Sequence, residues 1–372
     1  MIRRTNISFL SFVSDLFKKK DKQPVQKTPK TRADLEEPST VRYKETNDKL
    51  QKTFIRTRAP NSEEKKQLQD VLNIIESVPD GKKLIADIAA AGYKINFDTF
   101  CNGAYGACNP IQKSIMLSLG HLPDNNAALA AVLYHEMTHA MQDERSGGLT
   151  ADASAYKMSD QIKFLRAAEA SAWMEEAKFT YQIKDAHPEV LKVIGAYPMY
   201  QKFASEMEKT GDLTKASEAT FKSWYGFKEY QGLYEEEHIN MIKHKALGRL
   251  KKQDAKAFRQ TMSSEDVLKY TLISENVSIN PEFLTTPEAF SVSDNAIRSF
   301  KAISKGYASK FLTAAKDTSL DNMYSSETGK PLSGMEAVSK KGGNSLMSEL
   351  KTISKKQTAE KAAFAAAKGY VR

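Results

Sequence analysis

The chain has 372 residues, only two cysteines and a formal net charge of +9. This length predicts one large or two medium domains, and the low cysteine content excludes a disulfide-built scaffold and a four-cysteine zinc site. No stretch approaches the ~20 apolar residues of a transmembrane helix. The positive charge is concentrated in residues 18–32 and 340–372, where no stacking aromatic pattern and no nucleic-acid motif accompanies it, so we expect no nucleic-acid partner.

Residues 1–60 are predicted to be a disordered basic leader and linker, because prolines and scattered charges interrupt any regular pattern. The apolar segment Phe9–Phe17 is interrupted by Asp15 and serines, and no small-residue cleavage site follows it, so a cleaved signal peptide is not predicted. This segment could make weak contact with a membrane surface. The sequence leaves the compartment open between the cytoplasm and export without a cleaved signal peptide.

The next part of the chain is predicted to contain two helices and then two strands of a small antiparallel sheet. The helices run from Ser62 to about Val78 and from Gly81 to Ala91, and the strands from Lys94 to Thr99 and from Lys113 to Leu119. Cys101 and Cys108 flank a turn-rich loop between the strands. They could pair in an oxidising compartment or remain reduced.

A helix predicted from Ala127 to Gln142 contains the motif H-E-x-x-H, from His135 to His139. Residues four apart lie on one face of a helix, so the two imidazoles can bind one Zn²⁺. Glu136 can accept a proton from water that the metal activates. Residues suited to begin and end this helix flank it, namely Asn125 or Asn126 and Ser146 to Gly148. The strand that precedes the helix could hold an extended peptide substrate along its edge.

Zinc needs at least one further protein ligand, and two familiar spacings fail to supply it. The metzincin pattern requires glycine and histidine where this chain has Gln142 and Arg145. A thermolysin-like spacing would put a glutamate near position 159, which is Ser159.

The predicted helix from Asp160 to Asp185 supplies the third ligand that we favour, Glu169. Alanines and a serine surround Glu169 and would let this helix pack closely on the H-E-x-x-H helix. Glu176, two turns further on, either supports a ligand or competes with Glu169. Asp152 and Asp160 are weaker candidates.

Three blocks of the sequence resemble a group of bacterial candidate metallopeptidases of uncharacterised function, within the gluzincin-like zincins. The blocks are Gly92–Asp98 with Ser114–Ser118, Leu133–Gln142, and Arg166–Ala172. The similarity extends from about Asn61 to about Phe300.

The resemblance implies that His135, His139 and Glu169 bind the metal and that Glu136 is the catalytic acid and base. One position departs from the thermolysin-like pattern. The aspartate that follows the third ligand by one helical turn is replaced here by Trp173. The partner that orients the metal-binding histidines is therefore open.

Two further helical segments are predicted, Val190–Lys209 with a kink at Pro198 and a single long helix from Leu213 to about Leu250. In the second segment, Tyr230, Tyr234 and His238 are spaced by four and share a face. One of them could donate a hydrogen bond to the oxyanion of a tetrahedral intermediate. Ordinary core packing is the alternative for such an aromatic stripe.

These observations predict an α+β, predominantly helical protein with a zincin-like metallopeptidase domain at residues 61–300. Residues 301–372 are predicted to be a helical or disordered tail rich in lysine, serine and alanine. The expected function is the zinc-dependent hydrolysis of peptide bonds in a peptide or protein substrate.

Two other readings stay open. Glu136/His139 and Glu235/His238 are both E-x-x-H pairs and, with Glu76 and Glu169, could form a ferritin-like di-iron site. That reading gives His135 no role, and the predicted strands would interrupt the helical bundle. The other reading is a non-enzymatic effector that retains a zincin fold.

Overall fold

The computed structural model describes residues 42–45, 52–55, 62–98, 105–118, 125–251, 258–310 and 323–332. The protein is predominantly helical, with 69% helix, as predicted. Within these residues the helices are α1 (Ser62–Glu76), α2 (Pro79–Ala90), α3 (Asn126–Ser146), α4 (Met158–Ile183), α5 (Pro198–Thr210), α6 (Leu213–Trp224), α7 (Lys228–Lys251), α8 (Ser264–Thr271), α9 (Pro287–Phe290) and α10 (Asp294–Lys310). The strands are β1 (Arg42–Glu45), β2 (Lys52–Ile55), β3 (Lys94–Asp98), β4 (Gly106–Asn109), β5 (Ser114–Ser118), β6 (Ser291–Val292) and β7 (Tyr324–Ser325).

The sheet that precedes α3 is mixed, so the prediction of an antiparallel sheet was wrong. Its strand order is β3-β5-β4, with β3 parallel to β5 and β4 antiparallel to β5. The chain runs through β4 before it enters β5, and a short turn at Pro110–Gln112 joins these two strands. This route inserts β5 between the other two strands, which leaves β4 at the edge nearest to α3.

Helix α3 begins and ends where its flanking residues predict. Asn125 caps the first turn, because its side chain accepts a hydrogen bond from the backbone N–H of Ala128 at 3.0 Å. Gly147 ends the helix in the left-handed conformation, with φ of 66°. Between these caps α3 packs against α1, α2, α4 and the sheet, so most of its residues are buried on every side.

Helix α4 is the central element of the protein. It packs against α3, α5, α6, α7 and α8. Every residue from Met158 to Thr180 is buried except Glu169. The predicted alanines and serine around Glu169 are buried as well, and they let α3 approach closely enough for the Gln142 side chain to reach the carbonyl oxygen of Ala168 at 3.0 Å.

The single long helix predicted from Leu213 to Leu250 was wrong, because the chain forms two helices there. Helix α6 ends at Trp224 and α7 begins at Lys228. Gly226 lies in the break, which turns the chain between two elements that both pack on α4. Pro198 likewise begins α5 rather than kinking a longer helix, as suits a residue whose missing N–H is harmless in a first turn.

The C-terminal part of the described chain packs onto α7. Helix α10 covers the predicted domain limit at residue 300, and β7 pairs in parallel with β6. Met323 is fully buried in the same apolar cluster as Phe300. The domain limits themselves stay predictions.

Several predictions concern residues outside the described ranges. These are most of the leader, including Phe9–Phe17, residues 311–322 and 333–372 of the tail, and Cys101. Pairing of Cys101 with Cys108, which lies on β4, therefore stays a prediction. Among the described residues, none of the helices combines the length and the apolar character that a membrane crossing requires.

Candidate metal centre

The buried surfaces of α3 and α4 are interrupted at three polar positions. From Ala127 to Ala140 of α3, only Glu136 and His139 keep partial access to solvent, and from Met158 to Thr180 of α4 the same is true of Glu169. His135 is buried beside them. The partly accessible positions on the facing helices are therefore residues that the H-E-x-x-H motif and the following helix predicted.

His135, His139 and Glu169 converge on one point. The two Nε2 atoms lie 3.1 Å apart, and each faces a carboxylate oxygen of Glu169, at 3.9 Å from His135 and 3.5 Å from His139. In the described part of the chain, these three residues are the group of histidine, cysteine and acidic side chains that could hold a metal ion. Ligand atoms around a tetrahedral zinc ion are roughly 3.3 Å apart, so the spacing fits such an ion.

A carboxylate orients the first histidine. Nδ1 of His135 lies 2.9 Å from Oε2 of Glu176, and Trp173 packs edge-to-face on the imidazole with ring centroids 5.2 Å apart. The partner of His135, left open by the sequence, is therefore Glu176 on the turn after Trp173. Because a carboxylate oxygen accepts hydrogen bonds, Nδ1 of His135 carries the proton and Nε2 presents its lone pair.

An amide orients the second histidine. Nδ1 of His139 lies 2.9 Å from Oε1 of Gln142. The Gln142 amide nitrogen donates to the carbonyl oxygens of Ala168 and Thr271, each at 3.0 Å, which fixes the orientation of the amide. Nδ1 of His139 must then donate, so Nε2 of the neutral ring also presents a lone pair.

The two lone pairs face each other across 3.1 Å, which is repulsive unless a positive charge lies between them. Oε2 of Glu169 is buried and has no hydrogen-bond partner among the described residues. Burying such a group unpaired is costly. The donor set therefore fits a divalent cation with nitrogen and oxygen ligands.

The charges of the site are mutually dependent. Burial alone would raise the pKa of Glu169, but His139 and His135 lower it to about 2. Burial alone would lower the pKa of His139, but the Glu169 carboxylate raises it to about 9. Glu169 and His139 thus stabilise one positive charge between the two Nε2 atoms.

Glu136 lies against the edge strand. A methyl group added at Gly106 of β4 would lie 2.8 Å from Cγ of Glu136 and 3.0 Å from Cγ1 of Val132. Only glycine permits this approach of the strand backbone to Glu136. Burial raises the pKa of Glu136 above its usual value, although His135 and His139 act against the shift.

The three residues predicted to stabilise an oxyanion lie on α7, beyond Trp173. Nε1 of Trp173 donates to the Tyr234 hydroxyl at 3.2 Å, and Tyr230 packs edge-to-face on the same indole. Burial lowers the pKa of His238 to about 4, despite the opposing effect of Glu169. Nδ1 of His238 has no hydrogen-bond partner among the described residues. His238 is therefore a neutral imidazole held near Glu169.

The second E-x-x-H pair has different surroundings. Glu235 forms a buried ion pair with Arg166, with Nη2 and Oε2 at 2.7 Å, and also accepts from the backbone N–H of Ser293. Glu76 is exposed at the end of α1. These two carboxylates therefore lie apart from the cluster that a di-iron site would require.

The weaker candidates also have other partners. Asp152 forms an ion pair with Arg249 at 2.9 Å, and Asp160 accepts from the backbone N–H of Met262 at 2.9 Å. Sequence reasoning missed the roles of Gln142 and Gly106. The position of Gln142, three residues after His139 on the same helix, was the signal that could have identified the first of these.

The fold and the site define a helical protein with a candidate centre of two histidines and one glutamate. The sequence model of one family, described as "Putative metallopeptidase family (DUF6782)", matches residues 48–265, which is more than half of the chain. The chain belongs to this family, as the resemblance predicted. No curated protein and no solved structure matches it. The matched residues include every candidate ligand and Glu136.

The contact between Gly106 and Glu136 can be tested by adding a methyl group. Gly106→Ala should lower the free energy of unfolding by about 1–3 kcal/mol, because the strand or Glu136 must move. Gly232→Ala on α7 is the matched control, since nothing lies within 4 Å of the added group. Denaturant unfolding measures both. Equal stability of the two variants would contradict the close packing of β4 on Glu136.

Removing the charge of Glu235 tests whether this residue stabilises the fold or binds a metal. Glu235→Gln should destabilise the protein by about 3 kcal/mol, because Arg166 is left buried without its charge partner. Its metal content should not change. Glu236→Gln, an exposed neighbour, is the control and should alter neither quantity. Loss of metal from Glu235→Gln without loss of stability would favour the di-iron reading.

Proposed function

We propose that the protein is a zinc-dependent metallopeptidase with a zincin-like domain at about residues 61–300. His135, His139 and Glu169 would hold the metal, and Glu136 would be the general base. The observation that carries the proposal is the convergence of two fixed Nε2 lone pairs and an unpartnered carboxylate oxygen. Membership of a family described as metallopeptidases supports it independently.

Zinc suits this donor set, because two imidazoles and one carboxylate leave an open position in a catalytic site. When bound, the ion would act as a Lewis acid, which would polarise a carbonyl group and favour the ionisation of water. Glu136 follows His135 directly and is partly open to solvent. It would accept the proton of the attacking water and pass it to the leaving amine.

The substrate would be an extended peptide or protein segment. The sequence suggested the strand that precedes α3 as its docking edge, but β5 is paired on both sides. We therefore assign the docking role to β4, whose Gly106 lies against Glu136. Main-chain hydrogen bonds along β4 would hold the substrate carbonyl beside the catalytic base.

His238 is the favoured donor to the oxyanion. It is neutral and buried, and its Nδ1 has no partner among the described residues. Tyr234, whose hydroxyl already accepts from Trp173, is the second candidate. Tyr230 packs edge-to-face on the indole and is better suited to support Trp173.

Removing the base should stop catalysis without removing the metal. Glu136→Gln should retain zinc but lower the rate of cleavage of a peptide library by about 10²–10⁴-fold, because the amide cannot accept the proton. Glu144→Gln is the control, since Glu144 lies on the same helix and pairs with Lys113. A cleavage rate equal to wild type in Glu136→Gln would refute this mechanism.

Removing the third ligand should weaken metal binding. Glu169→Ala should lower zinc affinity at least about tenfold, measured by competition with a chromophoric chelator. Asp152→Asn, whose partner is Arg249, should bind zinc normally. Elemental analysis of the wild type should find about one zinc per chain. Two irons, or unchanged affinity in Glu169→Ala, would count against the assigned site.

A further inference from the structure

Gln142 joins three parts of the site through one amide. Its side chain is fully buried. The oxygen faces Nδ1 of His139, and the nitrogen donates to the carbonyl oxygens of Ala168 and Thr271. Ala168 immediately precedes Glu169 on α4, and Thr271 is the last residue of α8. One side chain therefore contacts one candidate ligand and the backbone next to another.

Only a primary amide satisfies all three contacts. An amide offers one acceptor and two donors, and here each is used. A carboxylate at this position could accept from His139 but could not donate to two carbonyl groups. An apolar side chain of the same length could do neither. The residue type is thus matched both to the tautomer of His139 and to the packing of α3 on α4.

We propose that Gln142 is a positioning residue for the metal. It fixes His139 with the proton on Nδ1 and Nε2 free to bind, and it sets the distance between His139 and Glu169 by holding the Ala168 carbonyl. This inference rests on the proposed metal centre. It also makes the end of α8, which lies beyond the family-matched residues 48–265, a part of the site.

Arg145 provides a matched control. It lies on the same helix, one turn after Gln142, and donates to the carbonyl oxygens of Leu272 and Ile273 at 2.7 and 3.0 Å. Arg145 therefore also fastens α3 to the end of α8, but it has no contact with a candidate ligand. Comparing the two residues separates positioning of the metal from attachment of α8.

The experiment measures cobalt and zinc binding by full-length wild type, Gln142→Met, Gln142→Glu and Arg145→Met. Co²⁺ titrations followed by visible absorption report both affinity and ligand geometry, and thermal unfolding reports stability. Gln142→Met should bind Co²⁺ at least about tenfold more weakly, with an altered spectrum. Arg145→Met should lose stability yet keep the wild-type affinity and spectrum. Gln142→Glu retains the oxygen that faces His139, so it should bind Co²⁺ more tightly than Gln142→Met while unfolding at a lower temperature than wild type.

The outcomes separate this inference from the proposed function. Wild-type affinity and spectrum in Gln142→Met, or equal losses in Gln142→Met and Arg145→Met, would overturn the role of Gln142 while leaving the metal centre intact. A wild type that binds neither zinc nor cobalt would overturn the proposed function and this inference with it. A crystal structure of the zinc-loaded wild type needs no variant. Zinc on Nε2 of His139 supports the inference, and zinc on Nδ1 refutes it.

Discussion

The close packing of α3 on α4 is the constraint on which the candidate site depends. Both helices are buried on nearly every side, so the polar groups between them must satisfy one another. Alanines beside Glu169 allow the approach that brings its carboxylate within 3.5 Å of His139. The candidate site therefore requires the close packing of α3 on α4.

The two histidines have chemically different hydrogen-bond partners. His135 faces the Glu176 carboxylate, and His139 faces the neutral amide of Gln142. The ring of His135 also packs edge-to-face on Trp173, which restricts its orientation. The partner of His139 also holds the backbone of α4, so the same amide fixes this histidine relative to Glu169.

Much of the site could be predicted from sequence because its signals are local. The spacing of His135 and His139 lies within one helix, and Glu169 was marked by the small residues on either side. The mixed sheet could not be predicted from local signals, because the residues of β4 have no alternating pattern and indicate a loop. The break at Gly226 was missed since the aromatic spacing continues across it. The contacts of Gln142 with Ala168 and Thr271 join residues 26 and 129 positions apart, which only the fold can bring together.

The two E-x-x-H pairs show why a motif needs its surroundings. Glu136 and Glu235 have the same local sequence relation to a histidine, and both lie on helices beside α4. Glu235 faces the guanidinium of Arg166, which neutralises it in a buried ion pair. Glu136 lies beside the candidate ligands His135, His139 and Glu169, and the two histidines act against the rise that burial causes in its pKa. The same four-residue pattern has different partners in the two places because α4 presents an arginine to Glu235 and a glutamate to His139.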